Sequence, residues 1–96
     1  MSRILITPEE LEGAAVEFLT ASQQTEELIG RLSSIVQDLS SVWEGAAQSA
    51  FFQKFDELKP SLEVFIEITE GINNQLNGVA DTLRTTDSEL SASIRG

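Results

Sequence analysis

Neither cysteine nor histidine occurs in this chain of 96 residues. Their joint absence removes disulfide frameworks, thiolate metal sites, cysteine nucleophiles and histidine general bases. It leaves the redox compartment open, because a chain without thiols is indifferent to redox conditions. Tyrosine is missing too, and basic residues are few: six Lys and Arg against sixteen Asp and Glu give a net charge of −10. That balance argues against a nucleic-acid phosphate backbone or an anionic lipid surface as the main partner and favours apolar or basic ones. No apolar run approaches the ~20 residues of a membrane span. Arg3, Ile4, Leu5 and Ile6, cut off by Pro8, are too short for the core of a signal peptide. If the chain is exported, it is expected to leave without a cleaved signal.

The hydrophobic share is 41%, that of an ordinary soluble protein, so a core is expected rather than disorder. The length suits one domain, taken as residues 1–96. A first helix is marked at its start. Thr7 can cap, Pro8 suits the first helical position, and Glu10 completes a capping box. Glu9, Glu10 and Glu12 place negative charge where the helix dipole favours it. Leu11, Phe18, Thr25, Leu32 and Leu39 then recur every seven residues, with Ala14, Ala21, Leu28, Ile35 and Val42 as a second row. Two such rows read as the seam of a helix packed lengthwise on another, over about residues 8–41.

The pattern breaks across 42–46, where Gly45 is the candidate for a left-handed residue ending the helix. It resumes as a second helix over about 47–85. There Phe55, Leu62, Thr69, Leu76, Leu83 and Leu90 form one row and Phe51, Leu58, Phe65, Ile72 and Val79 the other. Pro60 removes one backbone hydrogen bond yet falls opposite the seam, so a kink without a break is expected. Beyond Leu83 the residues are mostly Thr, Ser and Asp, and a frayed tail is expected over 86–96.

The fold class is therefore all-α, an antiparallel helical hairpin. Ile29, Val36 and Trp43 flank the first seam, and Phe52 and Ile66 the second. Two helices bury only the strip between them. At ~1.5 to 3 kcal/mol per large apolar side chain, these five represent ~7 to 15 kcal/mol of gross burial, comparable with the net stability of a domain. A second copy or a sister hairpin covering Ile29, Val36, Phe52 and Ile66 would complete a dimeric four-helix bundle.

Trp43-Glu44-Gly45 at the midpoint turn, followed by Ala47 and Phe51, resembles the signature Trp-x-Gly-x-Ala-x-x-x-Phe of the WXG100 family of ESAT-6-like proteins. The length and the two amphipathic helices extend the likeness over the whole chain. Leu83, Asp87, Leu90 and Ile94 fit the family's C-terminal export pattern, with Leu83 where many members carry Tyr. The resemblance implies a substrate or co-substrate of a type VII (ESX-like) secretion system in a Gram-positive or mycobacterial cell. It implies export in the folded state as an antiparallel homodimer, or a heterodimer with a sister chain, and a secretion ATPase as partner. A recognition surface made from Trp43 and Gly45 of one protomer and Leu83 and Asp87 of its mate would then exist only in the assembled dimer.

Each of these residues also has a plainer role. Trp43 can plug the end of a bundle, Gly45 can answer a backbone need, and Asp87 can form a surface pair with Arg84 three residues before it. Glu63, Glu67 and Glu70 share a stripe, but a dimetal bundle needs His beside Glu, so a solvated acidic face is expected, with no metal and no cofactor. No nucleophile has a base to activate it and no glycine-rich phosphate loop occurs, so neither an enzyme nor a small-molecule substrate is expected. Two other functions compete: a cytosolic chaperone or adaptor hairpin that pairs with another secreted protein, and a membrane-perturbing effector. An acidic surface disfavours membrane contact.

Overall fold

The computed structural model describes the backbone of residues 6–95 and the side chains of residues 6–87. Two helices make up the fold, α1 (Pro8–Ser40) and α2 (Ala46–Arg95), laid side by side as a hairpin with no strand among the described residues. At ~1.5 Å per residue the 50 residues of α2 reach about 75 Å, and the molecule is a rod of 77 × 24 × 16 Å. The start of α1 follows the capping signal. Thr7 is extended, its hydroxyl accepts the Glu10 N–H at 3.1 Å, and Pro8 opens the helix. At the other end the Ser40 and Ser41 hydroxyls donate to the carbonyls of Gln37 and Asp38. The Val42 and Trp43 N–H groups donate to Leu39. The last carbonyls of α1 are thus satisfied without a left-handed residue.

Gly45 does adopt a left-handed φ of 115°, but at a different place from that expected. Its carbonyl accepts the Ser49 N–H at 3.2 Å, so it stands at the start of α2 and does not end α1. The chain needs one unusual dihedral to swing from the exit of α1 into a helix running back, and only glycine takes it freely. Downstream, α2 passes Pro60 unbroken, with the ring exposed on the side away from α1. The expected frayed tail is instead helical backbone through Arg95.

The packing corrects the seam. Leu11, Thr25, Leu32 and Leu39 face α2 as expected, and Phe55, Leu62, Thr69, Leu76 and Leu83 face α1. The accompanying row, however, lies on the other flank. It is Ala15, Ser22, Ile29, Val36 and Trp43 on α1, and Phe52, Ile66, Asn73 and Ala80 on α2, all buried or half-buried within one chain. Leu28, Ile35 and Val42 are exposed by 37, 52 and 80%, and Phe51, Leu58, Phe65 and Val79 are exposed as well. Ile29, Val36, Phe52 and Ile66, expected outside the strip, line it instead, although their row is less hydrophobic than its rival. That row carries small and polar members which let the helices approach. Ala15 and Ala80 are fully buried, the Ser22 hydroxyl folds back to the Leu19 carbonyl at 2.7 Å, and Asn73 Nδ2 donates to the Ala15 carbonyl at 2.7 Å. Side-chain volume and hydrogen-bond satisfaction, rather than total hydrophobicity, select the inner flank.

Packing is graded along the rod. Leu11, Ala15, Ser22, Thr69 and Ala80, the described residues that are buried, run from the middle of the rod to the open end. Toward the turn, Ile29, Val36, Phe52 and Ile66 are only half-covered. A shallow cleft separates Val36 and Gln37 from Phe52, Phe55 and Lys59.

Candidate functional site

The turn is built around three rings. Trp43 lies 5.6 Å from Phe51 and 6.2 Å from Phe52, the second contact edge-on at 80°, and the two phenylalanines are 5.8 Å apart. Tilted and edge-on rings at these distances attract beyond the area they bury. The trio closes the end of the rod, with Trp43 half-buried and Phe51 exposed by 41%. Ala47 is exposed beside it. The sequence brought Trp43, Gly45, Ala47 and Phe51 to one turn, and the structure places them there. Phe52, expected at the dimer interface, belongs to the same cluster. The aromatic pair Phe51-Phe52 just after the tryptophan was the available signal.

The open end holds the other candidate residues. Leu83 is half-buried against α1, and Asp87 is exposed one turn later. The side chains of Leu90 and Ile94 lie outside the described residues. Between Leu83 and Asp87, Arg84 does not form the local pair expected with Asp87. Its guanidinium crosses to α1, donating to Glu12 Oε2 at 2.8 Å and Oε1 at 2.7 Å, with a longer contact of 3.4 Å to Glu9 Oε1. A fork meeting both carboxylate oxygens is the stronger geometry for this pair. Side chains lean toward the N-terminus of their own helix, so on antiparallel helices Arg84 and Glu12 lean toward each other. Those hydrogen bonds hold the Glu12 carboxyl below its usual range and raise the already high value of Arg84. Sequence offered no signal for a pair 72 residues apart until the register of the hairpin was known.

Chemistry beyond contact is sparse. Among the described residues no group of three or more acidic side chains gathers as a metal site, and Glu63, Glu67 and Glu70 are all exposed. The larger concavity is a furrow on α1 alone, beside Leu28 and Gly30, with no wall from α2. Among the described residues no helix is long and apolar enough to cross a membrane. What the surface offers is an exposed apolar flank on both helices, an aromatic turn at one end and an acidic residue at the other.

Comparison with known proteins gives this arrangement a context. The family model WXG100, "Proteins of 100 residues with WXG", matches residues 3–88. Protein YukE of Bacillus subtilis is 38% identical over 93 residues, covering 97% of this chain and 96% of that protein. The type VII secretion system extracellular protein A of Staphylococcus aureus is 32% identical over 91 residues, covering 95 and 94%. Among solved structures, EsxA of Geobacillus thermodenitrificans superposes with a TM-score of 0.87 at 38% identity, over 95% of this chain and 100% of that one. The secreted protein EsxB of Bacillus anthracis superposes with a TM-score of 0.80 at 39% identity, over 91 and 99%.

Proposed function

Because this chain belongs to the WXG100 family, we propose that it is a non-enzymatic substrate or co-substrate of a type VII secretion system, exported folded as an antiparallel dimer. Its relatives in Staphylococcus aureus are extracellular proteins of such a system, which supports passage from the cytoplasm to the outside.

The observation that carries the reading is the separation of the two motifs. Trp43 and Gly45 lie at the turn, and Leu83 and Asp87 stand about 60 Å away along α2. One hairpin therefore cannot offer them as a single surface. A second copy, a homodimer mate or a sister chain, running the other way brings each turn beside the other's open end. The secretion ATPase, or another basic component of the machinery, then reads Leu83 and Asp87, with Leu90 and Ile94 continuing the pattern.

The molecule also exposes more surface than a solitary fold of its size. Its accessible area is 7252 Å² at 10.5 kDa, against about 5400 Å² for a compact monomer. Its radius of gyration is 21.9 Å, against about 12 Å for a globule of this length. The flank formed by Leu28, Ile35 and Val42 with Phe51, Leu58 and Phe65 is the surface a second hairpin covers. Ile29, Val36, Phe52 and Ile66 lie on the opposite flank, half-buried between the two helices of one chain, and support the hairpin rather than that surface.

Secretion by the parent bacterium tests the function. Tagged chain should accumulate in the medium of wild-type cells and stay inside when the secretion ATPase is deleted. Release independent of the ATPase, or retention in both strains, contradicts it. Asp87→Ala should lower secretion and leave the melting curve of the purified protein unchanged. Secretion of that variant at the normal level removes Asp87 from the site.

A further inference from the structure

We propose that Glu9 and Glu12 of α1 act as positioning residues for the export site by holding Arg84 off Asp87, so that the acid is presented bare only when the hairpin is closed. The inference rests on the reading of Asp87 as part of the export signal. Arg84 is three residues from Asp87 on α2, a spacing at which opposite charges on one helix face pair. A guanidinium resting on Asp87 would occupy the carboxylate that a basic reader must engage. In the structure Arg84 does not take Asp87 as its partner. It is drawn across the interhelical gap onto both oxygens of Glu12 at 2.7 and 2.8 Å, with Glu9 at 3.4 Å.

The competition favours α1 for two reasons. Glu12 offers a two-pronged partner, whereas a basic residue N-terminal to its acid is the weaker orientation of a local pair. The Arg84 side chain also leans toward the N-terminus of α2, and so away from Asp87. Both advantages require the first turns of α1 to be docked. When α1 is undocked, Glu9 and Glu12 move away and Asp87 becomes the nearest partner on the same helix. Presentation of the acid thus reports closure of the hairpin within one chain, before any partner chain is considered.

The full-length Glu9→Gln/Glu12→Gln variant should still fold and dimerise, with a somewhat lower melting temperature, yet be exported roughly twofold to fivefold less, the range set by an exposed ion pair. Adding Arg84→Gln in that background should restore export, because no cation is left to cover Asp87. A merely structural clamp gives the opposite result, since removing the last member of a broken clamp repairs nothing. Nuclear magnetic resonance gives a readout independent of export. The Arg84 guanidinium signals should respond to Asp87→Asn in the glutamine background and not in the wild type. Wild-type export of Glu9→Gln/Glu12→Gln, or failure of Arg84→Gln to restore it, overturns the inference while leaving the export site standing. Normal export of Asp87→Ala removes the site itself.

Discussion

At Gly45 a single dihedral decides how the hairpin turns. Space is open around the position, with no atom within 4 Å of an added Cβ, but the φ of 115° strains any L side chain. Gly45→Ala should therefore destabilise the protein by about 1 to 2 kcal/mol in urea titrations. Gly13 and Gly71 lie within helices and also have open space around them. Their replacement by Ala should stabilise by roughly 0.5 to 1 kcal/mol. The same substitution thus has opposite signs at turn and helix. Glu12 supplies a test against pH. Its carboxyl titrates below the ordinary range because Arg84 hydrogen-bonds the charged form. A group lowered on folding stabilises the fold above its unfolded value, and that contribution is lost as pH falls through the folded one. The melting temperature of wild type should therefore exceed that of Glu12→Gln at neutral pH, with the gap closing below roughly pH 4. A gap that persists or widens in acid would assign the stabilisation to something other than the ion pair.

At the level of the helices, the bond from Asn73 to the Ala15 carbonyl fixes how far α2 slides along α1. Asn73→Ala leaves the carbonyl to its helical partner, and should cost about 1 kcal/mol in urea denaturation. Asn73→Leu should cost at least as much, because it loses the same bond and must fit a branched side chain at the close contact with Ala15. These residues also show where sequence reasoning stops. Helix identity, the Thr7 cap and the row from Leu11 to Leu39 were legible because each depends on neighbours in the chain. The inner flank was not. An apolar stripe three rows wide looks alike from either side, and hydrophobicity alone points to the richer row, Leu28, Ile35 and Val42. What decided the matter was Ala15 fitting beside Asn73, a contact 58 residues apart in sequence. Position along the chain likewise hid the bridge from Arg84 to Glu12. It did not hide the turn, where Trp43, Gly45 and Phe51 are close in both sequence and space.

Taken whole, the molecule is a thin rod whose well-packed end carries Glu12, Arg84 and Leu83 and whose looser end carries the aromatic turn. Hydrophobic residues of one flank face outward. Leu28, Ile35, Phe51, Leu58 and Phe65 are each exposed by 37% or more, and covering a large apolar side chain contributes about 1.5 to 3 kcal/mol. The account's central claim is that a second hairpin, antiparallel to the first, covers these rows and brings the turn of one copy beside the open end of the other. The chain has no cysteine of its own, so single labels can be placed cleanly. Protomers with Glu44→Cys carrying a donor fluorophore and protomers with Thr86→Cys carrying an acceptor should be mixed and the energy transfer measured. Efficient transfer between chains, at a separation far below the roughly 60 Å that divides these positions within one hairpin, is the predicted result. Absence of transfer at micromolar concentration, with the species sedimenting at 10.5 kDa, would contradict it.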